Sequence, residues 1–448
     1  MESVNRARDD NSQWSGVEET SEDPEEIRVI FCALDSFRSV LSAYRRIVSF
    51  TVLPAFFSRP RPPLLGIQYA KTAHLNCTHL RRQAFYALPQ AHWQLLAQPP
   101  FSYLDMLSRI DDAIECNAEL ARIIVKAGLR SFGVASTTSG EEPTMPEEWS
   151  GIAKYNDLDK ARSIIRQFYR DWSTEGAIER DACYGPVYDV LQAERAKRND
   201  GVRMKVLVPG AGLGRLVFDL CRLGYESEGN EISYHQLLAS SYILNWSEQA
   251  GQHTIYPWIH SFSNHQTREN QFRAYKIPDI HPQTTLASTQ GIGSMQMCAA
   301  DFLCLYGDEG HRDSYDAVAA VFFLDTAPNL IRYLEVIRSC LKPGGVLINV
   351  GPLLWHWENH VPGHHGYDGD GDYDESSVSG IAEPGSFELT DDEVVALVER
   401  MGFVVEKREK GLHAPYVQDA QSMLQMVYKA SHWVVRKPVA AAEPGTGP

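Results

Sequence analysis

The chain has 448 residues, 44% of them hydrophobic, and a formal net charge of −16. That is enough apolar sequence for a sizeable core and two or three domains, while the acidic balance argues against nucleic acid or an anionic membrane surface as the main partner and leaves room for a small cationic substrate. The eight cysteines form no C-x-x-C pair, the N-terminus is acidic and polar, and no apolar run approaches the ~18 residues of a membrane span. These features predict a soluble protein with reduced thiols, in the cytosol or also the nucleus.

Residues 1–26 are rich in Asp, Glu, Ser and Asn, and are expected to form a disordered acidic tail. Residues 27–132 read as helical. Leu107, Ile110, Ile114, Ala118, Ala121 and Ile124 recur at three- and four-residue spacing, one apolar stripe, with Gly128 as the expected stop. The segment 50–68 holds four prolines and no helical period; it reads as an exposed loop or as sequence outside the folded unit. Residues 133–154 read as a linker. Residues 155–200 read as helices broken near Gly176 and again near Pro186, with Ile164, Ile165, Phe168 and Trp172 on one face and Gln167 and Arg170, three apart, on another.

From Met204 short β-rich apolar runs alternate with helical ones, the pattern of a parallel sheet with helices on both faces. "FVVEKREKG" and "HWVVRKP" add two late strands. The acidic loop 360–384 mimics a calcium loop, but counting from Asp368 it has Tyr373 at position six and Ser379 at position twelve, where Gly and Glu are needed. His364 and His365 beside it are too weak a signal, and no metal is assigned. Residues 438–448 read as a disordered tail.

The run "VLVPGAGLG" turns from a strand toward a helix through Gly210, Gly212 and Gly214. Such a turn leaves free N–H groups and lets a ligand approach bare backbone. Its G-x-G-x-G spacing differs from the G-x-G-x-x-G of dinucleotide folds. Glu231, at the end of the next strand, can accept from both hydroxyls of a ribose. Asp301 can accept from an adenine amino group, and the Phe302 ring can cover the base. "LKPGG" (341–345) turns from a helix into an apolar strand. Together these resemble the class I S-adenosylmethionine-dependent methyltransferases. The implied fold is an α/β Rossmann-like sheet with helices on both faces, here with an all-helical N-terminal region. The implied cofactor is S-adenosylmethionine, a sulfonium without a pyrophosphate.

"RQFYRDWSTEGAIERDACYGP", "LVPGAGLGRL", "GNEIS", "YPWIHSFSN", "FFLDTAPN", "GPLLWHWEN" and "VVRKP" occur in order and resemble the carnosine N-methyltransferase family over roughly residues 155–437, and more weakly in "HLRRQAFYALP". That family methylates the imidazole of β-alanyl-histidine to give anserine. The resemblance implies a helical segment, 155–200, that covers the cofactor, and a methyltransferase domain over 201–437. It places Gln167 and Arg170 at the cofactor site, with Arg170 toward the methionine carboxylate, Gly210 at the methionine part with Gly212 and Gly214 in the same cofactor-binding turn, Glu231 at the ribose and Asp301 with Phe302 at the adenine. It places Asp325 and His356 as catalytic and substrate-binding residues and Tyr416 at the substrate; Phe322, three residues before Asp325, is read as lining the same pocket. Each has a plainer reading. Gln167 and Arg170 suit a solvated helix face, Asp325 a helix cap, and Phe322, His356 and Tyr416 ordinary packing.

The expected mechanism is direct in-line displacement. A neutral imidazole nitrogen needs no strong base, because the ring titrates near 6.5. Most of the rate gain then comes from orientation and preorganised charge. The competing readings are methylation of another small molecule or of a protein histidine, and a catalytically silent scaffold. The expected partner is a small peptide; the helical N-terminal region leaves a homodimer open.

Overall fold

The computed structural model describes residues 28–35, 37, 74–131, 155–359 and 385–439. The expected acidic tail at 1–26, the proline-rich segment 50–68, the linker 133–154, the loop 360–384 with His364 and His365, and all but the start of the tail 438–448 lie outside them. The chain divides into two compact units. One takes the described residues up to Arg166 together with Leu238–Ser263 and Thr267–Gln283. The other takes Gln167–Leu237, Asn264–Gln266 and the described residues from Thr284 onward.

The first unit holds helices α1 (Leu80–Tyr86), α2 (Gln90–Ala97) and α3 (Tyr103–Ser131). The expected stripe on α3 is buried from Leu107 to Ile124. Gly128 does not end the helix, which runs on to Ser131. A Cβ there would lie 2.5 Å from Leu238 and 2.9 Å from Leu34, so this glycine serves close packing. A short antiparallel hairpin, β3 (His253–Ile255) with β4 (Tyr275–Ile277), joins the same unit. Asn117 fixes it to α3. Its Nδ2 donates to Tyr256 O at 3.0 Å, and its Oδ1 accepts from Tyr256 N at 2.8 Å.

A partly buried charge cluster around His74 also ties α3 to the helical turn before α1. His74 Nδ1 lies 2.7 Å from Asp111 Oδ1 and its Nε2 lies 3.3 Å from Glu115 Oε1. Thr78 and Arg82 donate to the same Asp111 carboxylate. Burial alone would push the His74 imidazole down, but the two carboxylates outweigh it and hold it up at about 9.

The second unit is built on a seven-stranded sheet of order β5-β2-β1-β6-β7-β9-β8. Its strands are β1 (Lys205–Pro209), β2 (Glu226–Glu231), β5 (Ser294–Ala299), β6 (Tyr315–Val321), β7 (Leu341–Gly351), β8 (Val404–Pro415) and β9 (Val427–Arg436). The first five are parallel; β9 runs antiparallel to both β7 and β8. This is the expected doubly wound α/β sheet, with the two late strands at one edge. The "LKPGG" turn is part of β7, at the point where its register with β6 shifts.

β2 is polar yet buried, and its groups are paired accordingly. Ser227 Oγ donates to Val217 O at 2.9 Å and Asn230 Nδ2 to Ala300 O at 2.9 Å. Glu228 accepts from Tyr306 OH at 2.8 Å and faces Lys205 at 3.3 Å. Burial would raise this carboxyl, but Tyr315, Tyr306 and Lys205 together hold it below its usual range.

Two helices precede the sheet, α4 (Tyr155–Trp172) and α5 (Ala177–Ala196). The break at Gly176 is present, but the expected break at Pro186 is not, because α5 runs straight through it. The residue before the proline is Gly185, which offers no side chain for the ring to strike. Trp172 closes α4. It is fully buried, and its Nε1 donates to Leu213 O at 3.1 Å inside the glycine turn. Emptying a buried indole costs about 3–5 kcal/mol, so this contact fixes the end of α4 against the turn.

Candidate active site

In a parallel sheet all carboxyl ends lie at one edge, and a crevice opens where the strand order reverses. Here the reversal falls between β1 and β6, since β1 leads outward to β2 and β5 on one side and β6 to β7 on the other. Gly210 follows β1, Glu231 ends β2, Asp301 follows β5, Phe322 and Asp325 follow β6, and His356 follows β7. Tyr416 follows β8, which runs parallel to β7 through their shared neighbour β9. The topology therefore brings the expected site residues to one edge.

The glycine turn is left-handed at all three glycines, with φ of +66°, +59° and +75° at Gly210, Gly212 and Gly214. Gly214 caps helix α6 (Arg215–Arg222). At Gly212 an added Cβ would meet nothing within 4 Å. Here the backbone faces open space, and only its conformation calls for glycine. That bare stretch fits a ligand lying directly against the chain, as S-adenosylmethionine would.

Glu231 is buried beside it. Oε2 accepts from Gly212 N at 2.9 Å, and Oε1 from Ile232 N and Ser233 N at 2.9 and 2.8 Å. Burial pushes this carboxyl up, and the three backbone donors pull it back. Gln236, in helix α7 (Tyr234–Ser241), completes the set. With its amide turned to suit its neighbours, it donates to both Glu231 oxygens at 2.8 and 3.0 Å and accepts from Gln167 Nε2 at 3.3 Å. Gln167 and Glu231 are thus joined through a residue that sequence reasoning missed. A lone glutamine on a short helix carries no pattern that could have marked it.

Arg170 does not present an open fork. Its Nε and Nη2 donate to Asp171 at 2.7 and 3.0 Å, and the guanidinium carbon lies 5.2 Å from the centre of the Tyr416 ring. Nη1 makes no hydrogen bond to the described residues and is the donor left for a ligand carboxylate. Arg170, Glu179, Tyr184, Gly210, Phe322 and Tyr416 line one cleft. Cys183 lines it too, but burial pushes its thiol up to about 12, so it is no nucleophile at neutral pH.

Asp301 caps the short helix α8 (Phe302–Tyr306), accepting from Cys304 N at 3.0 Å. Phe302 packs among Tyr306, Phe323 and Tyr333 and is 3% exposed, which leaves its ring almost no face with which to cover a base.

Asp325 is not a helix cap. The helix that follows it, α9 (Leu330–Cys340), is capped by Asn329, whose side chain accepts from Arg332 N. The Asp325 carboxylate, 3% exposed, accepts on Oδ2 from Leu354 N at 3.0 Å, while its carbonyl accepts from His356 N at 3.1 Å. These bonds fold the segment after β7 onto the segment after β6. Burial pushes the Asp325 carboxyl up, and the Leu354 N–H and the nearby His356 pull it down. The His356 side chain itself is exposed.

Phe322 and Tyr416 are both half-buried, with rings stacked 4.9 Å apart at 29°. Tyr428, on β9, closes a third side, 5.9 Å from Phe322 and 6.0 Å from Tyr416. Such a trio of electron-rich faces beside a carboxylate suits a flat, partly cationic ring.

A family model described as "Carnosine N-methyltransferase" matches residues 147–439. The carnosine N-methyltransferase of Schizosaccharomyces pombe is 37% identical over 387 residues, covering 86% of this chain and 94% of that protein. That of Mus musculus is 33% identical over 374 residues, 83% of each chain. The Drosophila melanogaster protein named carnosine N-methyltransferase unmet is 37% identical over 280 residues, 62% of this chain and 55% of its own.

Proposed function

The chain belongs to the carnosine N-methyltransferase family, and on that premise we propose that its sheet-edge cleft holds an imidazole against Asp325 for methylation, turning β-alanyl-histidine into anserine. It is an S-adenosylmethionine-dependent methyltransferase of the class I fold. When bound, the cofactor supplies an electrophilic methyl group on a sulfonium. Gly212 and Glu231 are suited to its ribose side, Arg170 Nη1 to its carboxylate, and Asp301 to its adenine.

The observation that carries the acceptor reading is the buried Asp325 carboxylate, which caps no helix and spends only one oxygen on Leu354. The other oxygen accepts the N–H of the substrate ring. That bond fixes the tautomer, leaves the lone pair on the opposite nitrogen, and offsets the charge that grows on the ring. Phe322 and Tyr416 hold the ring plane, and the exposed His356 meets the peptide part. No general base is needed, because a neutral imidazole already carries the nucleophilic pair. The eight free cysteines support a reducing compartment, the cytosol or nucleus.

The test is transfer of a labelled methyl from S-adenosylmethionine to β-alanyl-histidine, with free histidine and other histidine peptides in parallel. Ring methylation of the dipeptide in preference to the others supports the reading. Transfer to the others but not to the dipeptide overturns the choice of acceptor.

A further inference from the structure

Glu179 stands in the first turn of α5 and is 4% exposed. Its carboxylate accepts from two consecutive backbone N–H groups, Val417 N on Oε2 at 2.6 Å and Gln418 N on Oε1 at 3.1 Å. Both donors follow directly on Tyr416, in the connection from β8 to β9. Tyr416 N donates to Met426 O at 3.2 Å and so closes the base of that loop.

The backbone here is strained. Val417 has φ of +45°, a left-handed conformation that a β-branched residue rarely adopts. Phe322, whose ring stacks on Tyr416, has φ of +53°. Two strained positions thus bracket one ring pair, and such conformations persist only where surrounding contacts enforce them. At Val417 the enforcing contact is a buried carboxylate. Burial pushes its pKa up, and the two N–H donors and Arg170 offset that only in part. Surface acids in the first turn of a helix serve the dipole from solvent; this one is turned inward onto a loop of another element.

We propose that Glu179 is a positioning residue for the methyl acceptor: its carboxylate holds the Tyr416–Gln418 turn in its strained form and so sets the Tyr416 ring against Phe322. The proposal rests on the reading of Tyr416 as an acceptor contact. Glu179 acts on the acceptor through Tyr416.

The experiment compares full-length wild type, Glu179→Gln, Glu179→Gln with Val417→Gly, and Tyr416→Ala. The readouts are KM for β-alanyl-histidine, kcat, cofactor affinity by calorimetry, and amide hydrogen exchange at Val417 and Gln418. A glutamine offers one acceptor and one donor, so one of the two N–H groups is left facing an NH2. The acceptor KM of Glu179→Gln should rise about tenfold, with cofactor affinity within about twofold and faster exchange at both amides. Glycine adopts φ near +45° without strain, so Val417→Gly should recover most of the acceptor KM. A folded Glu179→Gln with unchanged KM and unchanged exchange overturns the proposal. So does a loss of kcat at constant KM that Val417→Gly does not rescue, which is the signature of a purely structural acid. If Tyr416→Ala leaves the acceptor KM unchanged, the reading of Tyr416 fails and takes the proposal with it. If Tyr416→Ala raises KM and Glu179→Gln does not, only the positioning role is lost.

Discussion

The backbone N–H of Gly212 donates to Glu231 Oε2 at 2.9 Å, which ties the glycine turn after β1 to the acid that ends β2. The two features that mark a nucleoside site in the sequence are therefore one hydrogen-bonded unit, and a change at either reaches the other.

Gly212→Ala adds a methyl that would meet no protein atom but would project into the space where the ligand is expected, at φ of +59°. The left-handed backbone should cost about 1–2 kcal/mol of stability. Cofactor affinity, measured by calorimetry, should fall by more than that strain could account for, beyond about 30-fold in Kd (about 1.4 kcal/mol per factor of ten). Unchanged affinity would place the cofactor away from this turn.

Glu231→Ala leaves Gly212, Ile232 and Ser233 without their acceptor and removes the proposed ribose contact. Cofactor Kd should rise about 10- to 100-fold, since a hydrogen bond to a charged group is worth about 1.5–3 kcal/mol. Turnover at saturating cofactor should fall much less. Gln236→Ala, which removes only the amide bridging Glu231 to Gln167, should weaken binding less than Glu231→Ala does. An unchanged Kd for Glu231→Ala would remove this acid from the ribose site.

His74 should make stability depend on pH in a set direction. Its folded pKa, about 9, lies above the ordinary value of 6.5, so the folded state holds the proton more tightly. The contribution is fully present below about 6.5 and is lost as pH rises through about 9, at most ~3 kcal/mol. Thermal unfolding between pH 6 and pH 10 should show wild type losing stability over this window. His74→Gln should be less stable at the acid end and nearly flat across it (about pH 6.5 to 9). Parallel curves for the two proteins would show that the Asp111–His74–Glu115 cluster stays neutral at the imidazole.

Much of this was legible in the sequence because it repeats or punctuates. The alternation of strands and helices, the glycine turn, the acid closing β2 and the two late strands all appear where the patterning puts them. The hairpin β3–β4 does not announce itself, since three-residue strands are too short to show a period of two. Pro186 and Gly128 both mislead because local propensity marks them as helix breakers. Gly185 leaves room for the proline ring, and close packing against Leu238 and Leu34 uses the glycine inside α3. Phe302 looks like a cover for a base because it follows Asp301, but Tyr306 one turn on and Phe323 and Tyr333 from distant segments bury it. Gln236 and Glu179 had no signal at all. Each matters through a partner that only the fold brings near.

The acceptor site depends most directly on Asp325. The decisive measurement is the rate of methyl transfer to β-alanyl-histidine by Asp325→Ala at saturating S-adenosylmethionine, with cofactor binding confirmed by calorimetry on the same sample. The expected result is loss of turnover by a factor of roughly 10² or more, as for removal of a preorganised charge partner, with cofactor affinity near that of wild type. Wild-type turnover in that variant would contradict the account, because it would mean that the buried carboxylate does not hold the ring.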